Sequence, residues 1–134
     1  MKFIIDDGGR AGAGFRGDTG DCVCRAIAIA TDQSYRVVYG ECRRNPARGR
    51  RASARLGVNR RVYEAYLNAR GWTWTPTMQI GQGTTVHLRD GELPGGTIIA
   101  RLSKHLVAVL DGVIHDTHDP SRDGTRCVYG YFSR

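Results

Sequence analysis

Apolar residues follow two different rules along this chain. From about position 20 to position 70 they recur at helical spacing. From Trp72 onward they alternate, or run in short blocks closed by glycine and proline. The first helix is predicted from about Asp21 to Thr31, with Thr19 or Asp21 as its cap. Val23, Ala26, Ile27 and Ala30 share one face, and Ala28 and Ile29 widen the apolar arc enough to bury it. Ser34 can cap a second helix from Tyr35 to about Arg43, with Val37 and Val38 inward. A third is predicted from Asn59, its cap, to Ala69; Val62, Tyr63, Tyr66 and Leu67 form its stripe, and Gly71 ends it.

The second half reads as strands. Phe3–Ile5 suggests a short edge strand ahead of the glycine-rich stretch Gly8–Gly14, which reads as loop. Trp72–Thr75 alternates and is closed by Pro76, Thr97–Leu102 is a strand, and Cys127–Phe132 is a last one. Leu106–Leu110 and Val113–Asp116 flank Asp111-Gly112, a strong signal for a two-residue hairpin turn. Helices first and strands second predict an α+β fold with helices packed on a small antiparallel sheet. At 134 residues the chain suits one domain over residues 1–134, with a flexible glycine-rich start at 1–18 and an arginine-rich loop at 44–55.

Charge and cysteine content narrow the function classes. The net charge is +7, and eight arginines lie from Arg43 to Arg61. Arg43, Arg44, Arg48, Arg50 and Arg51 could meet nucleic acid or an acidic protein surface; the alternative is a solvated loop and the polar face of a helix. No run is long enough to cross a bilayer, and the apolar start is too short for a secretory signal, so a soluble, cytoplasmic protein without a membrane partner is expected. The four cysteines, Cys22, Cys24, Cys42 and Cys127, then read as free thiols. Cys22 and Cys24 are spaced C-x-C with no second pair, and the histidines match no common structural zinc spacing, so no metal and no cofactor are expected. The glycine stretch lacks the Gly-Lys-Ser/Thr ending of a phosphate cradle.

Two distant segments carry the chemistry. Cys22 opens the first helix, where unpaired N–H groups and partial positive charge favour a thiolate and can receive an oxyanion. A two-residue turn at Asp111-Gly112 pairs Leu110 with Val113, Val109 with Ile114, Val107 with Asp116 and His105 with His118. His105, Val107, Val109, Ile114, Asp116 and His118 then share a face, with Asp116 diagonal to His105. An aspartate could hold one ring nitrogen and leave the other for the thiol. The plain alternative is a buried, inert cysteine and an unpartnered His–Asp pair on a hairpin. His118-Asp119 would replace Asp116 if the register slipped. Cys24 reads as packing, Trp72 and Trp74 as core or rim. His87 and His115 read as surface or sheet residues, His115 on the opposite face. Asp18 and Thr19 are weaker candidates for orienting substrate or oxyanion.

Gly-Asp-Cys-Val-x-Arg-Ala-Ile-Ala-x-Ala-Thr (20–31), Leu-Pro-Gly-Gly-Thr (93–97) and His-Leu-Val-Ala-Val-Leu-Asp-Gly-Val-Ile-His-Asp-Thr (105–117) together resemble small papain-like cysteine peptidases, bacteriophage-encoded and peptidase C39-like members above all. The resemblance spans roughly Gly20 to Phe132 and implies a nucleophile helix on a small antiparallel sheet. It matches Cys22 to the nucleophile, His105 to the general base and Asp116 to the orienting residue. It implies a Cys-His-Asp hydrolase or acyltransferase acting on peptide or isopeptide bonds, working in a host cytoplasm if phage-encoded. Such families usually carry a glutamine several residues before the cysteine for the oxyanion hole. Here Arg16, Asp18 and Thr19 occupy that stretch. The competing expectations are a catalytically inactive module of the same fold, binding nucleic acid or an acidic host protein through its arginines, and a structural protein of a virus particle.

Overall fold

The computed structural model describes residues 1–15, 21–44, 59–78, 81–83 and 85–134. Its elements are β1 (Lys2–Ile5), α1 (Cys22–Thr31), α2 (Tyr35–Arg44), α3 (Arg60–Asn68), β2 (Thr73–Pro76), β3 (Thr97–Leu102), β4 (His105–Leu110), β5 (Val113–Asp116) and β6 (Gly130–Ser133). The class is α+β. The six strands form one sheet in the order β1-β5-β4-β3-β6-β2. That sheet is mixed, which corrects the antiparallel expectation: β1 runs parallel to β5, pairing Lys2 with Val113 and Ile5 with Asp116. A strand separated from its neighbour by the whole helical layer is free to enter in either direction, whereas β4 and β5, joined by a tight turn, are not.

The helix layer follows from the stripes. Asn59 caps α3 by accepting a hydrogen bond from the Val62 N–H at 3.1 Å, and Val62, Tyr63, Tyr66 and Leu67 are all buried. In α2 the buried positions are Tyr35, Val38 and Cys42, one face at i, i+3 and i+7. Val37, one residue and about 100° away from Val38, is 48% exposed rather than inward. These residues join α1 and the sheet residues Ile99, Leu106 and Phe132 in one core. A second core lies on the other sheet face, where Ile98, Ala100, Leu102, Val107, Val109 and Ile114 are covered by Leu88 and Val128 from loops. Each fully buried Leu or Ile contributes about 1.5–3 kcal/mol.

Two glycine positions are dictated by geometry. Asp111 (φ 48°) and Gly112 (φ 79°) both adopt the left-handed region that a tight hairpin turn needs. A Cβ on Gly130 would collide with the Trp74 ring, which packs on Phe132 at 4.9 Å between centroids. The last strand starts later than expected, at Gly130. Cys127 makes only a single bridge, with His87, because Val128 N–H bonds the Val86 carbonyl at 3.0 Å in the covering loop. The glycine stretch is a run of turns tied down by Asp6 and Asp7. Gly8 N–H bonds Asp6 at 2.8 Å, and Gly9 and Ala11 N–H bond Asp7 at 2.9 Å each. Among the described residues no helix is long and apolar enough to cross a membrane.

Candidate active site

Three element ends meet at one place. Cys22 is the first residue of α1, His105 the first of β4 and Asp116 the last of β5. The hairpin register sets the last two side by side: Leu110 pairs with Val113, Val109 with Ile114 and Ala108 with His115. By alternation His105 and Asp116 belong with Val107, Val109 and Ile114, while α1 lies against the face that carries Leu106. The meeting therefore occurs at the end of the sheet, where a helix N-terminus on one face can reach side chains from the other.

His105 Nε2 and Asp116 Oδ2 are 2.6 Å apart. That leaves Nδ1 for the thiol, and Cys22 hydrogen-bonds the His105 side chain. Burial disfavours the charged ring, but the bonds to Asp116 and Cys22 outweigh it and lift His105 from 6.5 to about 9. Burial also pushes the Cys22 thiol up. The hydrogen bond with His105, one with the Leu106 backbone N–H, and the charges of His105 and Arg25 reverse this and hold it below the ordinary thiol value. Asp116 is buried, which raises a carboxyl, yet His105, the Thr117 N–H at 2.7 Å and Arg25 keep it below its ordinary value. The same set of contacts thereby shifts the sulfur and the ring in opposite directions, each toward its charged form.

Behind the three lies a buried network of charged groups that the sequence reading missed. Asp21 is 1% exposed. It was expected to cap α1, but its side chain makes no capping bond. It turns inward instead, pairs with Arg25 and accepts from the Tyr35 hydroxyl. Arg10 Nε lies 3.1 Å from its second oxygen. Arg25 in turn reaches Asp116, Nη2 to Oδ1 at 3.6 Å. The i, i+4 spacing of Asp21 and Arg25 was the signal available in the sequence. With Asp21 turned away, the first-turn N–H groups of α1 gain no side-chain acceptor from their cap.

Other expected residues fall as follows. Asp18 and Thr19, the candidates beside the oxyanion, lie outside the described residues, as do Arg48, Arg50 and Arg51. Arg43 is exposed near the end of α2; Arg44 closes that helix and is not part of the loop expected at 44–55, the rest of which lies outside the described residues. All four cysteines are free. Cys24 is fully buried. His115 points to the opposite face and meets Asp6 at 3.0 Å. The register gives His105 to Asp116; Asp119 instead accepts from the Ser121 N–H at 2.9 Å. Trp72 is core and Trp74 is partly buried against it. One group among the described residues could hold a metal ion. His105, Asp116 and His118 offer ligand atoms within 4.8 Å of one another, but an ion there would have to displace the 2.6 Å bond between His105 and Asp116.

A cleft of about 560 Å³ opens beside His105, lined by Ser103, Lys104, Arg122, Thr125, Arg126, Cys127 and Tyr129. No family model, no curated protein and no solved structure matches this chain.

Proposed function

We propose that this protein is a cysteine-dependent hydrolase or acyltransferase acting on peptide or isopeptide bonds, of the papain-like kind that its motifs resemble, phage-encoded members included. One observation carries the reading. A single imidazole is hydrogen-bonded to a buried carboxylate on one side and to a thiol at a helix N-terminus on the other. A histidine and an aspartate on a hairpin without a partner would not produce a lowered thiol and a raised ring together.

In this reading Cys22 Sγ attacks the carbonyl carbon and the C–S bond forms. The oxyanion is received by N–H groups of the first turn of α1. His105 passes its proton to the leaving amine as the C–N bond breaks, giving an acyl-enzyme. Water or a second amine then attacks the acyl carbon, His105 takes its proton, and the thiolate leaves. Asp116 keeps the ring oriented and stabilises its charged form throughout.

The test is iodoacetamide labelling at mildly acidic pH with the adducts located by mass spectrometry. Cys127 is the reference thiol, because it is partly exposed in the neighbouring cleft. Cys22 is expected to label far faster. Equal rates at the two positions would remove the proposal.

A further inference from the structure

The cleft beside His105 has a one-sided charge. Lys104, Arg122 and Arg126 all line it, and none of the three forms an ion pair with a carboxylate among the described residues. Arg126 is held rather than free: its Nη2 donates to the Ser103 carbonyl oxygen at 2.6 Å, and its backbone N–H to the Ser121 carbonyl at 3.0 Å. One guanidinium edge is thus fixed to the cleft wall and its other donors remain. Partial burial, and then repulsion from Arg122, depress the Arg126 guanidinium, with Tyr129, Asp116 and Cys22 offsetting part of the effect. Cations gathered without a paired carboxylate are unfavourable until an anion arrives.

The backbone adds an independent observation. Leu102 pairs with His105, so Ser103 and Lys104 form a two-residue turn. Lys104 there has φ 57°, and Arg122 across the cleft has φ 51°. A glycine would adopt either conformation without strain, whereas a side-chain-bearing residue costs about 1 kcal/mol. At both tips the strained position carries a long cation.

Resting on the hydrolase reading above, we infer that this cleft binds a carboxylate of the substrate, with Arg126 as its fixed receptor and Lys104 and Arg122 beside it, so that the enzyme selects peptides that present a carboxylate there. The carboxylate has two possible sources, an acidic side chain or a free C-terminus. Arg126 donates a planar pair of N–H groups suited to either.

The experiment is kept independent of turnover. Fluorescent peptides are titrated against the Cys22→Ala protein: an acetylated, amidated set with one glutamate scanned along it, the matching glutamine set, and the glutamine set with a free C-terminal carboxylate. At least one carboxylate-bearing set is expected to bind about tenfold or more tighter than amidated glutamine, with an advantage that shrinks at high salt. The winning set names the source. Arg126→Gln should bring the ratio to within about twofold, and Lys104→Gly, which relieves its own backbone, should reduce it without loss of thermal stability. Equal binding of all sets overturns the inference even if Cys22 proves highly reactive. So does an oligonucleotide that binds the cleft when no peptide does. Selective binding together with an unreactive Cys22 would keep the cleft and remove the hydrolase.

Discussion

Cys22 and Cys24 stand two residues apart on one helix and inhabit opposite chemistries. Cys22 opens α1 at the end of the sheet, where an imidazole, a backbone N–H and a guanidinium all favour its anion. Cys24 lies within the helix layer, where a hydrogen bond with Cys42, burial, and the negative charges of its surroundings push its thiol up. Burial opposes ionisation at both positions. What separates them is which groups face each sulfur: two residues along a helix is about 200° of rotation, so the same first turn of α1 presents Cys22 to the hairpin and Cys24 to Cys42 of α2. The direction of a thiol's shift is therefore set by a meeting between layers, and depth in the core says little about it.

The strongest way to break the contrast is to remove what anchors the helix start. Asp21→Ala strands Arg10, Arg25 and the Tyr35 hydroxyl, and should cost about 3–5 kcal/mol of stability, read by denaturant unfolding. His105→Ala should erase the contrast locally. Cys22 would then label about a hundredfold more slowly near pH ~6, a change of about 2.7 kcal/mol, in a protein that still unfolds cooperatively. Unchanged labelling would mean that the ring does not activate the thiol.

The pH profile sharpens the comparison with a smaller effect. The active pair needs Cys22 without its proton and His105 with one. Lowering the first and raising the second widens the window between them. Hydrolysis should rise on the acid side below the ordinary thiol range and fall as pH passes about 9, where the ring loses its proton. A fall already centred near 6.5 would contradict the raised ring. Last, Cys24→Ala should cost about 1 kcal/mol and leave Cys22 labelling as it was, because its partner is Cys42 and not the hairpin.

The parts of this arrangement legible in the sequence were those set by local rules. The Asp111-Gly112 turn fixes the β4–β5 register residue by residue, and so brings His105 beside Asp116. The stripe of α3 and its Asn59 cap needed nothing beyond spacing. What escaped depended on distant contacts. The direction of β1 is set by packing against β5 across more than a hundred residues of chain. Asp21 looked like a cap because caps are aspartates at helix starts; Arg10, Arg25 and Tyr35 draw it inward. The basic cleft was missed for the same reason. Lys104 comes from one turn and Arg122 and Arg126 from another, whereas the sequence drew attention to the denser arginine run at Arg43–Arg61.

The hydrogen bond between Cys22 and His105 joins residues more than eighty positions apart in the chain. During synthesis Cys22 emerges long before β4 and β5, with no imidazole to share a proton and no carboxylate to hold one. Until the hairpin closes onto the helix, the thiol lacks the His105 ring and the Leu106 N–H that hold it below its ordinary value. The downward shift of this thiol is thus a property of the assembled molecule, absent from any part of the chain taken alone.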